Sequence, residues 1–251
     1  MSSPFGLSGK RILVTGASGG LGRAIAVLAA ESGAGVIVHG RNEARCRETM
    51  DLLHGSGHRM AVFDLVAGDV SAWMKQLAAE AGPLDGCVHG AGIQIVRPLR
   101  VLDDRVLQET MQVNVGTALA LTRAFRQRDV CPRGGSVVWL ASVMALAGQP
   151  GQAAYSASKG ALVSMCRSLA LELARERIRV NCVAPGLVEA GMGGQLKETL
   201  SAEQYSAVSA MHPLGMGKPE DVAGPVVFLL SEAAAWITGT TLVVDGGYCA
   251  H

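Results

Sequence analysis

The most constraining feature of this sequence is a glycine-rich segment that joins a short apolar run to a helical pattern. Residues 12–14 are apolar, residues 15–22 read Thr-Gly-Ala-Ser-Gly-Gly-Leu-Gly, and a helix is predicted over residues 21–32. Glycines in this position let the backbone approach a pyrophosphate, and the next helix offers its free N–H groups to an anion. The pattern predicts a dinucleotide-binding turn rather than a purely structural one. The predicted cofactor contacts within it are Gly16, Ser18, Gly20, Leu21 and Gly22.

The rest of the chain repeats this alternation of short apolar runs and longer helical patterns. Further strands are predicted over residues 36–38, 60–63, 84–88, 136–140, 178–183 and 241–244, and further helices over residues 43–53, 71–81, 103–126, 153–175 and 221–230. Strands that are apolar on both faces and separated by helices form a parallel sheet covered on both sides. We therefore predict an α/β fold with a Rossmann-like, doubly wound parallel sheet of about seven strands. Residues 1–251 are expected to form a single domain, with a flexible substrate lid at about residues 187–217.

Composition and charge exclude several classes of protein. Hydrophobic residues make up 49% of the chain, aromatic residues 4%, and the formal net charge is +1. No basic stretch with interleaved aromatic residues points to nucleic acid, and no apolar run approaches the roughly 20 residues that cross a bilayer. The six cysteines are spaced too widely for a metal-binding pair. We expect a cytoplasmic protein that binds no nucleic acid, membrane or metal.

The end of the second predicted strand bears on the choice of cofactor. Sheets that prefer NAD usually carry Asp or Glu there, about twenty residues after the glycine turn. Here residues 38–42 read Val-His-Gly-Arg-Asn, so Gly40 takes that place and Arg41 follows. A guanidinium binds a 2′-phosphate that an acid would repel, which favours NADP(H) over NAD(H). The alternative is that Arg41 is a solvated surface charge and either cofactor binds.

A carboxylate follows the third predicted strand, in the segment Phe63-Asp64-Leu65. Asp64 could accept a hydrogen bond from the adenine amino group, or it could cap the turn that follows the strand. We include Asp64 and Leu65 among the predicted cofactor contacts.

Four polar residues form a candidate catalytic group. Tyr155 and Lys159 are four positions apart in a helical pattern and so share one helix face. A cation about 4 Å from the phenol would stabilise the phenolate by roughly 4 kcal/mol, so Lys159 is predicted to lower the pKa of Tyr155 by about 3. Ser142 ends the fifth predicted strand, where open sheets bind ligands. Asn114, in the helix predicted over residues 103–126, could hold a water that relays protons to Lys159.

In order and spacing these residues resemble the short-chain dehydrogenase/reductase family, over residues 10–247. Residues 15–22 match its TGxxxGxG motif, and Asn114, Ser142, Tyr155 and Lys159 match its catalytic tetrad. The resemblance implies an oxidoreductase that transfers hydride between NADP(H) and a small-molecule carbonyl or secondary alcohol, with Tyr155 as acid and base. The cofactor contacts that it adds are Ala91, Gly92, Tyr155, Lys159, Pro185, Gly186 and Val188. Residues 240–247 resemble a strand that commonly lies at a tetramer interface, so we expect a homotetramer, or a dimer.

Three positions near the expected cofactor site depart from the family. His89-Gly90 stands where the family has two Asn residues, which removes a bond that stabilises the sheet, and we interpret His89 as a structural residue. Ala190 stands where the family often has a Thr that contacts the cofactor. The backbone of Val188, or Gln195, could supply that contact instead.

The substrate is left open by the sequence. Within the family the chain resembles 3-oxoacyl-[acyl-carrier-protein] reductases and their relatives in sugar and cell-surface pathways. The resemblance implies two basic positions that dock the carrier, of which one matches Arg133 and the other falls near Glu176, flanked by Arg175 and Arg177. Candidate pocket residues are polar (Gln94, Gln149, Gln152) and apolar (Val143, Met144, Met192, Met211). The alternatives are therefore a sugar, polyol or other ketone dehydrogenase, and a non-catalytic NADP(H)-binding sensor. An epimerase, dehydratase or enoyl reductase is a further alternative, although enoyl reductases space Tyr and Lys more widely.

Overall fold

One parallel β-sheet forms the centre of the computed structural model, which describes residues 3–190 and 201–250. Its strands are β1 (Arg11–Thr15), β2 (Gly35–Gly40), β3 (Arg59–Val62), β4 (Gly86–His89), β5 (Gly135–Leu140), β6 (Ile178–Pro185) and β7 (Thr241–Val244). The order across this seven-stranded sheet is β3-β2-β1-β4-β5-β6-β7. The chain therefore turns back across the sheet between β1 and β4, and open α/β sheets bind ligands at such a switch point.

Helices cover both faces of the sheet, as the sequence predicts. They are α1 (Gly20–Glu31), α2 (Glu43–Met50), α3 (Val70–Ala81), α4 (Asp104–Met111), α5 (Thr117–Phe125), α6 (Ala153–Leu173), α7 (Ala202–Ala210) and α8 (Pro219–Leu230). Alternate residues of each strand enter two separate cores, because successive side chains of a strand point to opposite faces. Leu13 packs with the core under α3, α5 and α6, whereas Ile12 and Val14 pack with the core under α1 and α8. The predicted doubly wound α/β architecture is confirmed.

The helix predicted over residues 103–126 is interrupted in the structure. Helix α4 ends at Met111, a π-helical turn spans Gln112–Gly116, and α5 follows. The predicted strand over residues 84–88 is shifted toward its C-terminal end, to Gly86–His89. Of the predicted lid, residues 191–200 lie outside the described residues, and α7 forms part of the remainder.

The described helices do not include one that is both long and apolar enough to cross a membrane. Within residues 3–190 and 201–250, no three His, Cys, Asp or Glu side chains come close enough together to hold a metal ion.

Candidate active site

A cleft of about 730 Å³ opens where the strands end at their carboxyl side. This volume is within the usual range for small-molecule sites. Every predicted cofactor contact borders the cleft: Gly16, Ser18, Gly20, Leu21, Gly22, Arg41, Asp64, Leu65, Ala91, Gly92, Tyr155, Lys159, Pro185, Gly186 and Val188. Ser142 borders it as well, whereas Asn114 is fully buried behind its wall. The structure therefore brings together residues that are far apart in the sequence.

Gly16 and Gly22, in the glycine turn after β1, are packed too closely against backbone to admit side chains. Gly16 has a φ of +69°, and a Cβ on it would lie 2.7 Å from the carbonyl carbon and oxygen of Gly90. A Cβ on Gly22 would lie 2.3 Å from the carbonyl oxygen of Gly16. Helix α1 begins at this turn without a side-chain N-cap, so no side chain competes for its first N–H groups. This cradle fits the pyrophosphate of a nicotinamide dinucleotide.

The packing at the end of β2 explains why Gly40, rather than Asp or Glu, stands there. A Cβ on Gly40 would lie 2.7 Å from the Sγ of Cys46 and 3.1 Å from the Cβ of Ser18. Cys46 is fully buried, so the thiol has little freedom to move away. Asp or Glu at position 40 would therefore clash, while the exposed side chain of Arg41 borders the cleft beside this point.

Asp64 caps the turn after β3, which was one of the two roles open for it. Its Oδ1 accepts hydrogen bonds from the backbone N–H groups of Val66 (2.8 Å) and Ala67 (3.3 Å). The bond from Val66 is the main cause that holds the pKa of Asp64 below its usual value, and the charge of Arg41 adds to it. The exposed carboxylate also borders the cleft, so a contact with adenine is compatible with the cap.

Tyr155 and Lys159 lie one turn apart on α6, and Ser142 follows β5. The Nζ of Lys159 lies 5.5 Å from the centre of the Tyr155 ring and donates a hydrogen bond of 2.7 Å to the backbone carbonyl of Leu140. The ring of Tyr155 packs with the buried side chains of Val143 and Met144. All three predicted catalytic side chains that border the cleft are therefore held by buried surroundings.

The pKa of Tyr155 moves in the direction opposite to our prediction. Burial raises the pKa of the Tyr155 phenol, the interaction with Ser142 opposes that rise, and Lys159 is not among the causes. Burial also lowers the pKa of Lys159 to about 8. The ammonium group bonds the Leu140 carbonyl rather than the phenol, so desolvation outweighs the attraction that the four-residue spacing predicts. Lys159 can thus gain or lose a proton near neutral pH.

Asn114 occupies the π-helical turn, a local distortion that is frequent at functional sites. Its Oδ1 accepts from the N–H of Ile93 (2.8 Å), and its Nδ2 donates to the carbonyl of Ile93 (2.9 Å) and to the hydroxyl of Ser158 (2.9 Å). A Cβ on Gly92 would lie 3.1 Å from this Oδ1 and 3.7 Å from the Nζ of Lys159. Both amide donors are used, so only the remaining lone pair of Oδ1 could bind the predicted water. Asn114 holds the segment after β4 in place.

His89 has the structural surroundings that the sequence suggested. Thr117 donates from its hydroxyl to the carbonyl of Val113 (2.6 Å), so the same oxygen accepts from the Nε2 of His89 (2.8 Å). The hydroxyl of Thr15 accepts from the N–H groups of Gly90 (3.2 Å) and Ala91 (3.3 Å). These bonds tie the end of β4 to its neighbours without the two Asn side chains of the family.

We expect His89→Asn to make the protein less sensitive to acid. Burial lowers the pKa of His89 to about 3, whereas an unfolded chain binds this proton near pH 6.5, so the free energy of unfolding falls as the pH drops through that window. Urea unfolding measures the free energy of unfolding at pH 7.5 and at pH 4.5. Between these two pH values, we expect wild type to lose roughly 3 kcal/mol more than the variant loses. His54→Asn, on the surface, is the control. Parallel pH dependences of wild type and His89→Asn would contradict the burial argument.

The substrate end of the cleft combines polar and apolar walls. The Nε2 of Gln94 donates to the Oε1 of Gln152 (3.0 Å), and Gln149 also borders the cleft. Val143 and Met144 line it from beside Ser142. Of the other predicted lining residues, Met211 borders the cleft, whereas Met192 and Gln195 lie outside the described residues.

The cleft is also bordered by residues that sequence reasoning did not single out, among them His212, Tyr248 and Arg45. His212 accepts at Nε2 from the N–H of Leu187 (3.2 Å) and is bonded at Nδ1 to the carbonyl of Val208 (3.2 Å). The ring of Tyr248 lies 5.0 Å from the ring of His212, and Arg45 borders the cleft near Arg41. The sequence analysis gave no sign of Arg45, and the positions of the other two depend on how the C-terminal third folds back.

Comparisons with known proteins agree with this arrangement. A family model described as Enoyl-(Acyl carrier protein) reductase matches residues 16–249. The 3-oxoacyl-[acyl-carrier-protein] reductase FabG of Vibrio cholerae serotype O1 is 36% identical over 242 residues, which are 96% of this chain and 98% of that protein.

Solved structures are similar over nearly the whole chain. A putative short-chain alcohol dehydrogenase from Sinorhizobium meliloti 1021 has a TM-score of 0.92 at 36% identity, covering 99% of both chains. A putative NAD(P)-dependent gluconate 5-dehydrogenase from Beutenbergia cavernae, with bound NADP, has a TM-score of 0.91 at 35% identity, covering 99% of this chain and 100% of that one. Sequence, fold and site agree, and the chain belongs to the short-chain dehydrogenase/reductase family of oxidoreductases.

Proposed function

We propose that this protein reduces a carbonyl substrate, or oxidises the corresponding secondary alcohol, with NADP(H) and with Tyr155 as acid and base. The observation that carries the proposal is the presence of Ser142, Tyr155 and Lys159 in the same cleft as the glycine turn. A cofactor sensor would not need this set of proton donors. The four-residue spacing of Tyr155 and Lys159 favours carbonyl reduction over the enoyl reduction that the family model's description names.

Each residue has a separate task in this mechanism. The bound dinucleotide supplies or accepts the hydride. Ser142 and Tyr155 hold the substrate oxygen by hydrogen bonds, and the phenol of Tyr155 gives up its proton to that oxygen during reduction. Lys159, whose Nζ lies 5.5 Å from the centre of the Tyr155 ring and whose pKa lies at about 8, stabilises the phenolate by its charge until water returns the proton. Asn114 positions the segment after β4 beside Lys159.

We propose that NADP(H) is preferred over NAD(H). The packed end of β2 leaves no room for the acid that would bind a ribose hydroxyl, and Arg41 follows it at the edge of the cleft. The solved relative from Beutenbergia cavernae contains NADP, which supports this preference.

Two substrate classes have support from specific observations. A 3-oxoacyl thioester is favoured by the curated relative and by the apolar wall of Val143 and Met144. Glu176 is ion-paired with Arg126 at 2.6 Å, so an acidic carrier protein would meet a carboxylate where the family places a base. A sugar, polyol or sugar acid is favoured by the bonded pair of Gln94 and Gln152 and by the gluconate 5-dehydrogenase relative.

We further propose that residues 1–251 act as one domain with a lid at residues 187–217, in a cytoplasmic homotetramer. The cysteines at positions 46, 87, 131, 166 and 182 are buried free thiols, which suits a reducing compartment. One side of edge strand β7 is unpaired in the described sheet, and nearby Trp236 is 99% exposed. Sedimentation equilibrium distinguishes a tetramer from a dimer or a monomer.

The test is NADPH oxidation, followed at 340 nm, with a panel of acetoacetyl thioesters, keto-sugars, diketones and steroid ketones, and with NADH in parallel. We expect turnover of one class, with NADPH preferred. Tight NADPH binding without turnover of any class would contradict the reductase and favour the sensor. Equal rates with NADH would contradict the proposed role of Arg41.

A further inference from the structure

We propose that Arg45 is a second guanidinium for the 2′-phosphate of NADP(H), placed over the glycine turn at Gly19. The proposal rests on the NADP(H) preference proposed above and adds to it a residue that lies outside the glycine motif and the strand end. Its observable consequence is discrimination between NADPH and NADH.

The position of Arg45 is fixed by the start of helix α2. The Oδ1 of Asn42 accepts from the backbone N–H of Arg45 at 3.0 Å and so caps the helix. The side chain then reaches back over the turn, because a Cβ on Gly19 would lie 2.7 Å from its Nη2. The space that a side chain at position 19 would fill is occupied by this guanidinium.

The charges around α2 divide into two groups. Arg23 is paired with Glu48 at 2.8 Å, and Arg47 is paired with Glu43 at 2.9 Å. For Arg41 and Arg45, the described part of the chain offers no carboxylate within 4.0 Å of the guanidinium.

Arg41 and Arg45 both border the cleft next to Gly40 and Ser18. The Oδ1 of the nearby Asp64 accepts from the N–H groups of its own turn. Two guanidinium groups at the edge of one cleft suit a dianionic phosphate, which accepts several charge-assisted hydrogen bonds. A ribose hydroxyl offers no such charge.

The experiment is a fluorescence titration of the whole protein with NADPH and with NADH. We expect Arg45→Ala to weaken NADPH binding about ten- to hundredfold, the range for a lost bond to a charged group, and to leave NADH binding within about twofold. Arg47→Ala is the matched control, since this residue lies on the same helix but is paired with Glu43. It should change neither affinity.

The titrations distinguish a failure of the proposed role of Arg45 from a failure of the proposed NADP(H) preference. A wild type that prefers NADPH, with an Arg45→Ala variant that keeps this preference, overturns the role of Arg45 alone. Equal weakening of NADPH and NADH also overturns it, because a structural role would affect both. A wild type that binds the two cofactors equally overturns the NADP(H) preference, and the role of Arg45 with it.

A double-mutant cycle tests the contact with Gly19. The backbone at Gly19 is extended, with φ 170°, so Ala fits there except for its approach to Arg45. We expect Gly19→Ala to displace the guanidinium and weaken NADPH binding, with little further loss when it is combined with Arg45→Ala. Additive losses would overturn the inference that the two positions share one space.

Discussion

Replacing Tyr155 with Phe is expected to lower kcat for carbonyl reduction by about 10²- to 10⁴-fold, the usual contribution of a positioned acid. Phe keeps the ring that packs against Val143 and Met144 and removes only the hydroxyl. Ser142 can still hold the substrate oxygen, but the phenyl ring that replaces the phenol has no proton to give to that oxygen. Steady-state rates with the substrate class that the wild type turns over measure the loss.

Two further measurements on the same variant serve as controls. NADPH affinity by fluorescence and the midpoint of thermal unfolding should both stay close to wild type. Activity retained at more than about a tenth of wild type would remove Tyr155 from the proposed role. A loss of NADPH affinity equal to the loss of rate would indicate a structural role.

Local patterns were enough to predict the fold and much of the site. The apolar runs that became β1, β2 and β5 are buried on both faces, and only a parallel sheet covered by helices satisfies that pattern. The glycine turn and the spacing of Tyr155 and Lys159 are contained in single short segments. Carboxyl ends of parallel strands lie on one edge of the sheet, which is why residues after different strands converge there.

What the sequence could not predict depends on contacts between distant segments. The π-helical turn at Gln112–Gly116 changes the hydrogen-bond register without disturbing the apolar pattern of α4 and α5. The bond from His89 to Thr117 joins residues 28 positions apart, and nothing local to either marks it. The direction of the Tyr155 pKa depends on burial, which spacing does not report.

The placement of Arg45 is another feature that the sequence could not predict, because it depends on a contact between distant segments. Its position at the start of α2 follows from the cap at Asn42, which a sequence pattern can suggest. Its reach over Gly19 depends on how α2 docks against the glycine turn, as the bond from the Thr49 hydroxyl to the Ala17 carbonyl shows (2.8 Å). Side-chain direction across such a contact becomes visible only in the folded chain.

Gly16→Ala is expected to abolish NADPH binding in the micromolar range and to lower the thermal midpoint. Two costs add at this position. A φ of +69° costs a residue with a Cβ about 1–2 kcal/mol. The new Cβ would also lie 2.7 Å from the carbonyl group and 2.8 Å from the N–H nitrogen of the segment Gly90–Ala91, and backbone atoms cannot swing aside as a side chain can.

Gly9→Ala separates these two costs. Gly9 also has a positive φ, +75°, but a Cβ there meets nothing within 4 Å, and it precedes β1 at the end of the strand away from the cleft. We expect this variant to lose only about 1–2 kcal/mol of stability and to bind NADPH as wild type does. Of these two positions, only Gly16 carries the steric cost, because there the Cβ would push the ends of β1 and β4 apart at the switch point of the sheet. Micromolar NADPH binding by Gly16→Ala would show that the turn can move without losing the cofactor. The close packing of Gly16 would then not be required for the cofactor site.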